Sequence, residues 1–197
     1  KKDDIINFFN EIALKVCEGQ QMDMDFETTN DVTIDDYLLM IELKTAILFA
    51  ASLKIAAILS GATNNDIDFL YNFGLNIGIA FQLRDDYLDT FGKSDSFGKI
   101  IGSDIKSKKK TVLYINAMQK SNEEDRIFLE KTYSEKSIVN NDDVQRVTQI
   151  FKKYGVDKYC NQLSQSYYEL ASSNIKKVSV PYDKLKSYSE ILFKRKN

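Results

Sequence analysis

The stretch DIDFLYNFGLNIGIAFQLRDDYLDTFG, residues 66–92, decides how the chain is read. It is mostly apolar, lacks proline and ends on Gly92, which predicts a long buried helix over residues 66–91. Gly74 and Gly78 lie one turn apart and predict close approach by another helix. Further along the same helix come Gln82, Asp85, Asp86 and Asp89. At about 100° per residue these four fall within roughly a third of the circumference. Carboxylates sharing a face repel each other, by about 0.2–0.5 kcal/mol per exposed i,i+4 pair. Burial raises that cost sharply, so a cation is expected there. A hard divalent ion held by one or two carboxylates and by phosphate oxygens suits the set, and Mg2+ fits that description. A solvated acidic face is the alternative; Gln82, the apolar helix body and the loop that follows weigh against it.

Helical patterning continues on both sides. Upstream, residues 34–59 are apolar nearly all round, which places that helix in the middle of a bundle, closed by Gly61. Thr33 with Asp36 predicts a capping box at its start. Lys44 must reach either water or an anion. With Thr45 beside it, phosphate binding is one reading and an ion pair with Glu42 or a neighbouring Asp the other. Ile5, Ile6, Phe8, Phe9, Ile12, Ala13 and Val16 predict a first helix ending near Gly19, with the acidic residues 23–31 as a loop.

Downstream, residues 92–110 are rich in Gly, Ser, Asp and Lys and read as a loop. Its lysines, Lys99, Lys106 and Lys108 to Lys110, supply positive charge to an anion bridging a metal on the aspartates. Taken alone, that run reads better as solvated surface. Helices are predicted at 111–120, 123–133, 142–154 and 156–175, and Pro181 marks the first turn of a last one reaching Phe193. No strand-like alternation of useful length appears. The expected fold is an all-α bundle.

Composition narrows the chemistry. The 197 residues include one proline, eight glycines and no histidine, with a net charge of −2. The missing histidine excludes Ser–His and Cys–His nucleophiles and His-containing zinc sites. The balanced charge argues against a nucleic-acid partner. Cys17 and Cys160 share no CxxC spacing and read as buried thiols in a reducing compartment. Residues 45–59, the longest apolar stretch, are interrupted by Lys54 and fall short of the ~20 residues of a membrane span. A soluble, cytoplasmic protein is expected. The chain opens at Lys1 within a helical pattern, without methionine, and reads as part of a longer protein.

In order, the chain carries GQxxD (Gly19, Gln20, Asp23), KT (Lys44, Thr45), FQxxDDxxD (residues 81–89), GK (Gly98, Lys99) and a GxD…KKT loop (Gly102, Asp104, residues 109–111). This ordered set, over residues 17–111, resembles the trans-type polyprenyl diphosphate synthases. The resemblance implies an isoprenoid-synthase-type helical bundle, truncated at the N-terminus, with residues 1–197 the C-terminal part of a single polyprenyl synthase domain. It implies Mg2+-dependent condensation of an allylic diphosphate with isopentenyl diphosphate, and a homodimer.

By resemblance, Asp85 is the main metal ligand, supported by Asp86 and Asp89. Lys44, Lys99 and Lys109 bind the allylic diphosphate, with Lys108 the alternative to Lys109 because the loop carries one extra residue. Thr45 and Gln82 flank the allylic cation. Gln20, Asp23 and Asp104 match positions surrounding the metal and diphosphate, and Arg84 stands where Gln is frequent. The family's first aspartate-rich motif lies upstream of GQxxD and is not among these residues, so little or no turnover is expected of them alone. The competing readings are a non-catalytic subunit of a heteromeric synthase and a class I terpene cyclase.

Overall fold

The computed structural model describes residues 2–92, 101–134 and 136–195. Among them every regular element is helical, as the resemblance implies. The order is α1 (Lys2–Thr28), α2 (Ile34–Ile41), a π-helical turn (Glu42–Ala46), α3 (Ile47–Ser60), α4 (Asn64–Phe91), α5 (Ser103–Lys106), α6 (Val112–Lys120), α7 (Glu123–Tyr133), α8 (Asn141–Lys153), α9 (Val156–Ile175) and α10 (Asp183–Lys194).

The chain resolves into two compact units. The first comprises residues up to Met22, Leu38–Gln82 and Leu163–Arg195. Its core joins Ala57 to Leu70, Phe73 and Ile77 of α4 and to Ala171, Ile175 and Val178. A smaller cluster sets Ile12 of α1 against Ile47 and Ala51. Gly74 and Gly78 allow the close approach their spacing predicts: a methyl on Gly78 would lie 2.5 Å from Ala46 Cα, and one on Gly74 2.7 Å from Ala50 Cα. The second unit comprises Asp23–Tyr37 and Leu83–Gln162. There α6, α7 and α8 pack against one another, burying Leu113, Leu129, Val147, Ile150 and Phe151.

Several boundaries differ from expectation. Helix α1 runs through Gly19 to Thr28, so most of the acidic segment is helical rather than loop. Glycine costs roughly 1 kcal/mol relative to Ala inside a helix, but Gly19 is buried against the backbone of Leu43 and Lys44, and that contact offsets the penalty. The hydroxyls of Thr28 and Thr29 donate to the Asp25 carbonyl and close the helix end. The apolar helix over 34–59 is interrupted by the π turn at Glu42–Ala46. It is also less enclosed than its composition suggests, since Leu39, Leu48 and Leu59 are exposed.

Counted as one run, Ile34–Ser60 has 27 residues and is long and apolar enough to cross a bilayer by length and composition. The shorter count over 45–59 missed this. Lys54 in that run lies 4.7 Å from the centroid of the Phe8 ring and 5.2 Å from that of Tyr71. Cys160 is buried as expected, but Cys17 is exposed, because α1 buries only Ile12 and Gly19. The segment after Gly92 also contains a short helix, α5. The last helix starts at Asp183, with Pro181 outside it rather than in its first turn.

The chain ahead of Pro181 is pinned. Asp66, buried in the first turn of α4, accepts hydrogen bonds from Ser179 N (2.7 Å), Ser179 Oγ (2.6 Å) and Thr63 Oγ1 (2.9 Å). These bonds, those from Ser179 foremost, hold the Asp66 carboxyl below its ordinary value of 3.8. A lowered folded-state pKa stabilises the fold above the unfolded value, and that contribution fades as pH falls through the folded one. Asp66→Ala is therefore expected to lower the melting temperature at neutral pH. The gap from wild type should narrow as pH falls below 3.8, read by thermal melts across pH.

Candidate active site

The acids at the end of α4 lie in the second unit and have different surroundings. Asp86 is 2% exposed and accepts a hydrogen bond from the hydroxyl of Tyr37, itself 2% exposed, in α2. The capping box read from Thr33 and Asp36 forms: Asp36 N donates to Thr33 Oγ1 (3.1 Å) and Thr33 N to Asp36 Oδ2 (3.0 Å). It starts α2 one residue after Thr33 and so places Tyr37 in the helix. Asp89, also buried, accepts from Ser103 Oγ and from Asp104 N (2.9 Å), while Gly102 N donates to the Asp89 carbonyl (2.7 Å). The short helix α5 is thereby docked on Asp89. Asp85 is partly exposed.

Asp104 adds to the negative charge. Burial first, then Asp89 and, more weakly, Asp85 push its carboxyl above the ordinary aspartate value, against the pull of Lys109. Lys109 Nζ lies 3.5 Å from Asp104 Oδ1. Burial pulls the Lys109 ammonium down, but Asp104, Asp23 and Asp86 outweigh it and leave the pKa raised. Asp23, Asp85, Asp86, Asp89 and Asp104 thus share one electrostatic neighbourhood with Lys109.

The other two lysines of the run are engaged elsewhere. Lys108, at a φ of 56°, donates to the Ser134 carbonyl (2.9 Å), and Lys110 donates to the carbonyls of Glu27 (3.2 Å) and Thr29 (2.6 Å). Of the two alternatives at this position, Lys109 is the one that lies beside Asp104.

In the first unit Thr45 Oγ1 donates to Gln82 Oε1 (3.3 Å), bringing together the two residues matched to the cation-flanking positions. Lys44 and Thr45 both lie on the π turn, a distortion frequent at functional sites. Gly19 packs directly behind it: a methyl there would sit 2.4 Å from Lys44 N. Gln20, the next residue, is exposed. Lys99 lies outside the described residues.

Among the described residues no three acidic or cysteine side chains converge into a ready metal cage. Asp86 and Asp89 are already bound to protein donors, and Asp85 is the more accessible acid. That arrangement fits a Mg2+ held by one or two carboxylates, with phosphate completing the coordination. It does not fit an ion caged by protein alone. Tyr37 and Ser103 escaped the sequence reading. Nothing in the pattern pairs position 37 with 86 or 103 with 89, and the capping box was the only signal near Tyr37.

Residues 1–153 match the polyprenyl synthetase family. The chain belongs to that family. It is 35% identical over 194 residues to geranylgeranyl diphosphate synthase of Sulfolobus acidocaldarius, an alignment covering 96% of this chain and 58% of that enzyme. It is similar in structure to geranylgeranyl pyrophosphate synthetase of Pyrococcus horikoshii, with TM-score 0.88 and 30% identity over 98% of this chain and 59% of that one. It is also similar to geranylgeranyl pyrophosphate synthase of Corynebacterium glutamicum, solved with isoprenyl diphosphate and magnesium. There the TM-score is 0.89 and the identity 25%, over 97% of this chain and 55% of that one. The polyprenyl synthetase chain thus spans somewhat more than half the length of these relatives. The helical architecture and the family inferred from the ordered motifs are both borne out.

Crowding at Gly19 is testable. Gly19→Ala forces the new methyl against backbone that cannot yield as a side-chain tip does. A loss of about 1–3 kcal/mol of stability, the usual scale of overpacking, is expected in a urea unfolding titration.

Proposed function

We propose that this polyprenyl synthetase is a Mg2+-dependent prenyltransferase that joins an allylic diphosphate to isopentenyl diphosphate. The observation that carries the reading is the electrostatic neighbourhood in which Asp104, Asp23 and Asp86 act on Lys109 while Asp89 and Asp85 act on Asp104, with α5 docked on Asp89. Such a grouping of acids suits a dication, and a lysine beside it suits a diphosphate. When bound, Mg2+ would be held by Asp85 with Asp86 and Asp89 in support, supplying charge that stabilises a departing diphosphate. Lys44, Lys99 and Lys109 bind the diphosphate oxygens, and Asp23, Asp104 and Gln20 support that arrangement. Thr45 and Gln82, hydrogen-bonded to each other, hold polar atoms beside the developing carbocation. The Corynebacterium relative solved with isoprenyl diphosphate and magnesium supports both substrate class and metal.

The same reading includes a cytoplasmic homodimer that neither crosses a membrane nor binds nucleic acid. Exposed Ile6, Phe9 and Leu14 on α1 suit a subunit contact. The close packing of Ala46 and Ala50 on α4 suits a core helix rather than a membrane span. The exposed thiol of Cys17 suits a reducing compartment.

In assays of the full protein, elongated polyprenyl diphosphate is expected only when both substrates and Mg2+ are present. Chelation with EDTA should abolish it. Asp85→Asn or Lys44→Ala is expected to lower kcat by about 10²–10³-fold, the scale of losing one charge-stabilising group, and residues 1–197 alone should show little or no turnover. Cyclised hydrocarbon from allylic diphosphate alone would favour the terpene-cyclase alternative, and no product under any condition a non-catalytic subunit.

A further inference from the structure

The hydrogen bond between Tyr37 and Asp86 has no place in the motif set, yet it joins two of the most deeply buried polar groups in the second unit. Each is 2% exposed. An ionised carboxylate so far from water is costly unless hydrogen-bond donors replace its hydration. Tyr37 supplies such a donor from a different helix. Burial first, then the charge of Asp86, push the phenol well above its ordinary value, so the hydroxyl keeps its proton and remains a donor. The neighbouring thiol of Cys160 does not compete for this role, because its Sγ donates to the Leu83 carbonyl at 3.3 Å. Asp89 is held in an analogous way, by Ser103 and by Asp104 N. The difference is that its donors come from the adjoining α5, whereas Tyr37 lies 49 residues from Asp86 in sequence.

We infer that Tyr37 is a positioning residue for the metal site. It fixes one oxygen of Asp86, and through Asp86 it sets the affinity of the acidic end of α4 for a divalent cation bound with diphosphate. The inference rests on the proposed function of the site. Without the hydroxyl, that oxygen loses its tether to α2 and the carboxylate can turn from the orientation it holds here. That freedom weakens its part in binding a cation. The aromatic ring contributes only packing, which phenylalanine keeps.

The test is titration of the full protein with Mg2+ in the presence of inorganic pyrophosphate, by calorimetry, with Mn2+ electron paramagnetic resonance as a second readout. Tyr37→Phe is expected to weaken metal binding about tenfold, the scale of one hydrogen bond to a charged group, and to lower the melting temperature by only the few degrees that one lost buried hydrogen bond costs. In an Asp86→Asn background the same substitution should change nothing further. Wild-type affinity in Tyr37→Phe, or an undiminished tenfold loss on top of Asp86→Asn, overturns the inference. Should Tyr37→Phe not fold, adding Asp86→Asn is expected to restore folding by removing the charge that needs the hydroxyl, and a double variant that stays unfolded also overturns it. Asp85→Asn separates the two levels. Loss of metal binding there with wild-type affinity in Tyr37→Phe rejects Tyr37 alone, while unchanged binding in Asp85→Asn rejects the site reading and this inference with it.

Discussion

The second unit is organised around a surplus of negative charge. Asp23, Asp85, Asp86, Asp89 and Asp104 act on one neighbourhood that contains Lys109. Carboxylates brought this close raise each other's pKa, and burial strengthens the effect, as the upward shift of Asp104 shows. The fold answers with hydrogen-bond donors fixed by other elements. Tyr37 comes from α2, and Ser103 and the Asp104 amide from the start of α5. Donors of this kind stabilise individual carboxylates but do not cancel their summed charge. The Lys109 ammonium, 3.5 Å from Asp104, offsets part of it, and on the proposed reading a dication would offset more.

The first unit solves a different problem, the placing of polar groups on an apolar helix. Lys44 and Thr45 stand on a π turn between two long apolar segments. Both flanks of that turn are set by small residues, with Gly19 against the Lys44 backbone and Gly78 against Ala46. A π turn carries an extra residue relative to α geometry, so it survives only where neighbouring backbone leaves room and holds it. The two glycines provide the room. Thr45 then reaches Gln82 on α4, and a pair that the sequence places 37 residues apart becomes one hydrogen-bonded unit.

What was legible in the sequence follows from how local each signal is. The helices were legible because apolar periodicity and scarce proline act within a few turns. The capping box at Thr33 and Asp36 formed as read because it spans only four residues. The ends of α1 and the start of α10 were misread because tertiary contacts override the local signal. Gly19 looks like a terminator until the backbone of Lys44 is seen against it, and Pro181 looks like a first-turn residue until Ser179 is seen bound to Asp66. The candidate site shows the same division. The aspartates were identifiable from their spacing on α4. Their donors were not, since Tyr37 belongs to another helix and Ser103 to a segment that reads as loop.

The absence of a ready-made cage among the described residues bears on how the proposed chemistry would be controlled. A site in which several unengaged carboxylates converged would bind a divalent ion whether or not substrate was present. Here Asp86 and Asp89 already accept hydrogen bonds from the protein, which orient them toward a cation but leave fewer of their lone pairs to surround it. On the proposed reading, phosphate oxygens would complete the coordination sphere of a bound Mg2+. Metal and diphosphate would then bind with positive coupling, because each supplies what the other lacks. An enzyme that must ionise a diphosphate only when the diphosphate is present gains from that dependence, since the electrophilic charge is assembled together with its target. Carboxylates that are oriented but do not by themselves enclose an ion would tie metal binding to the substrate.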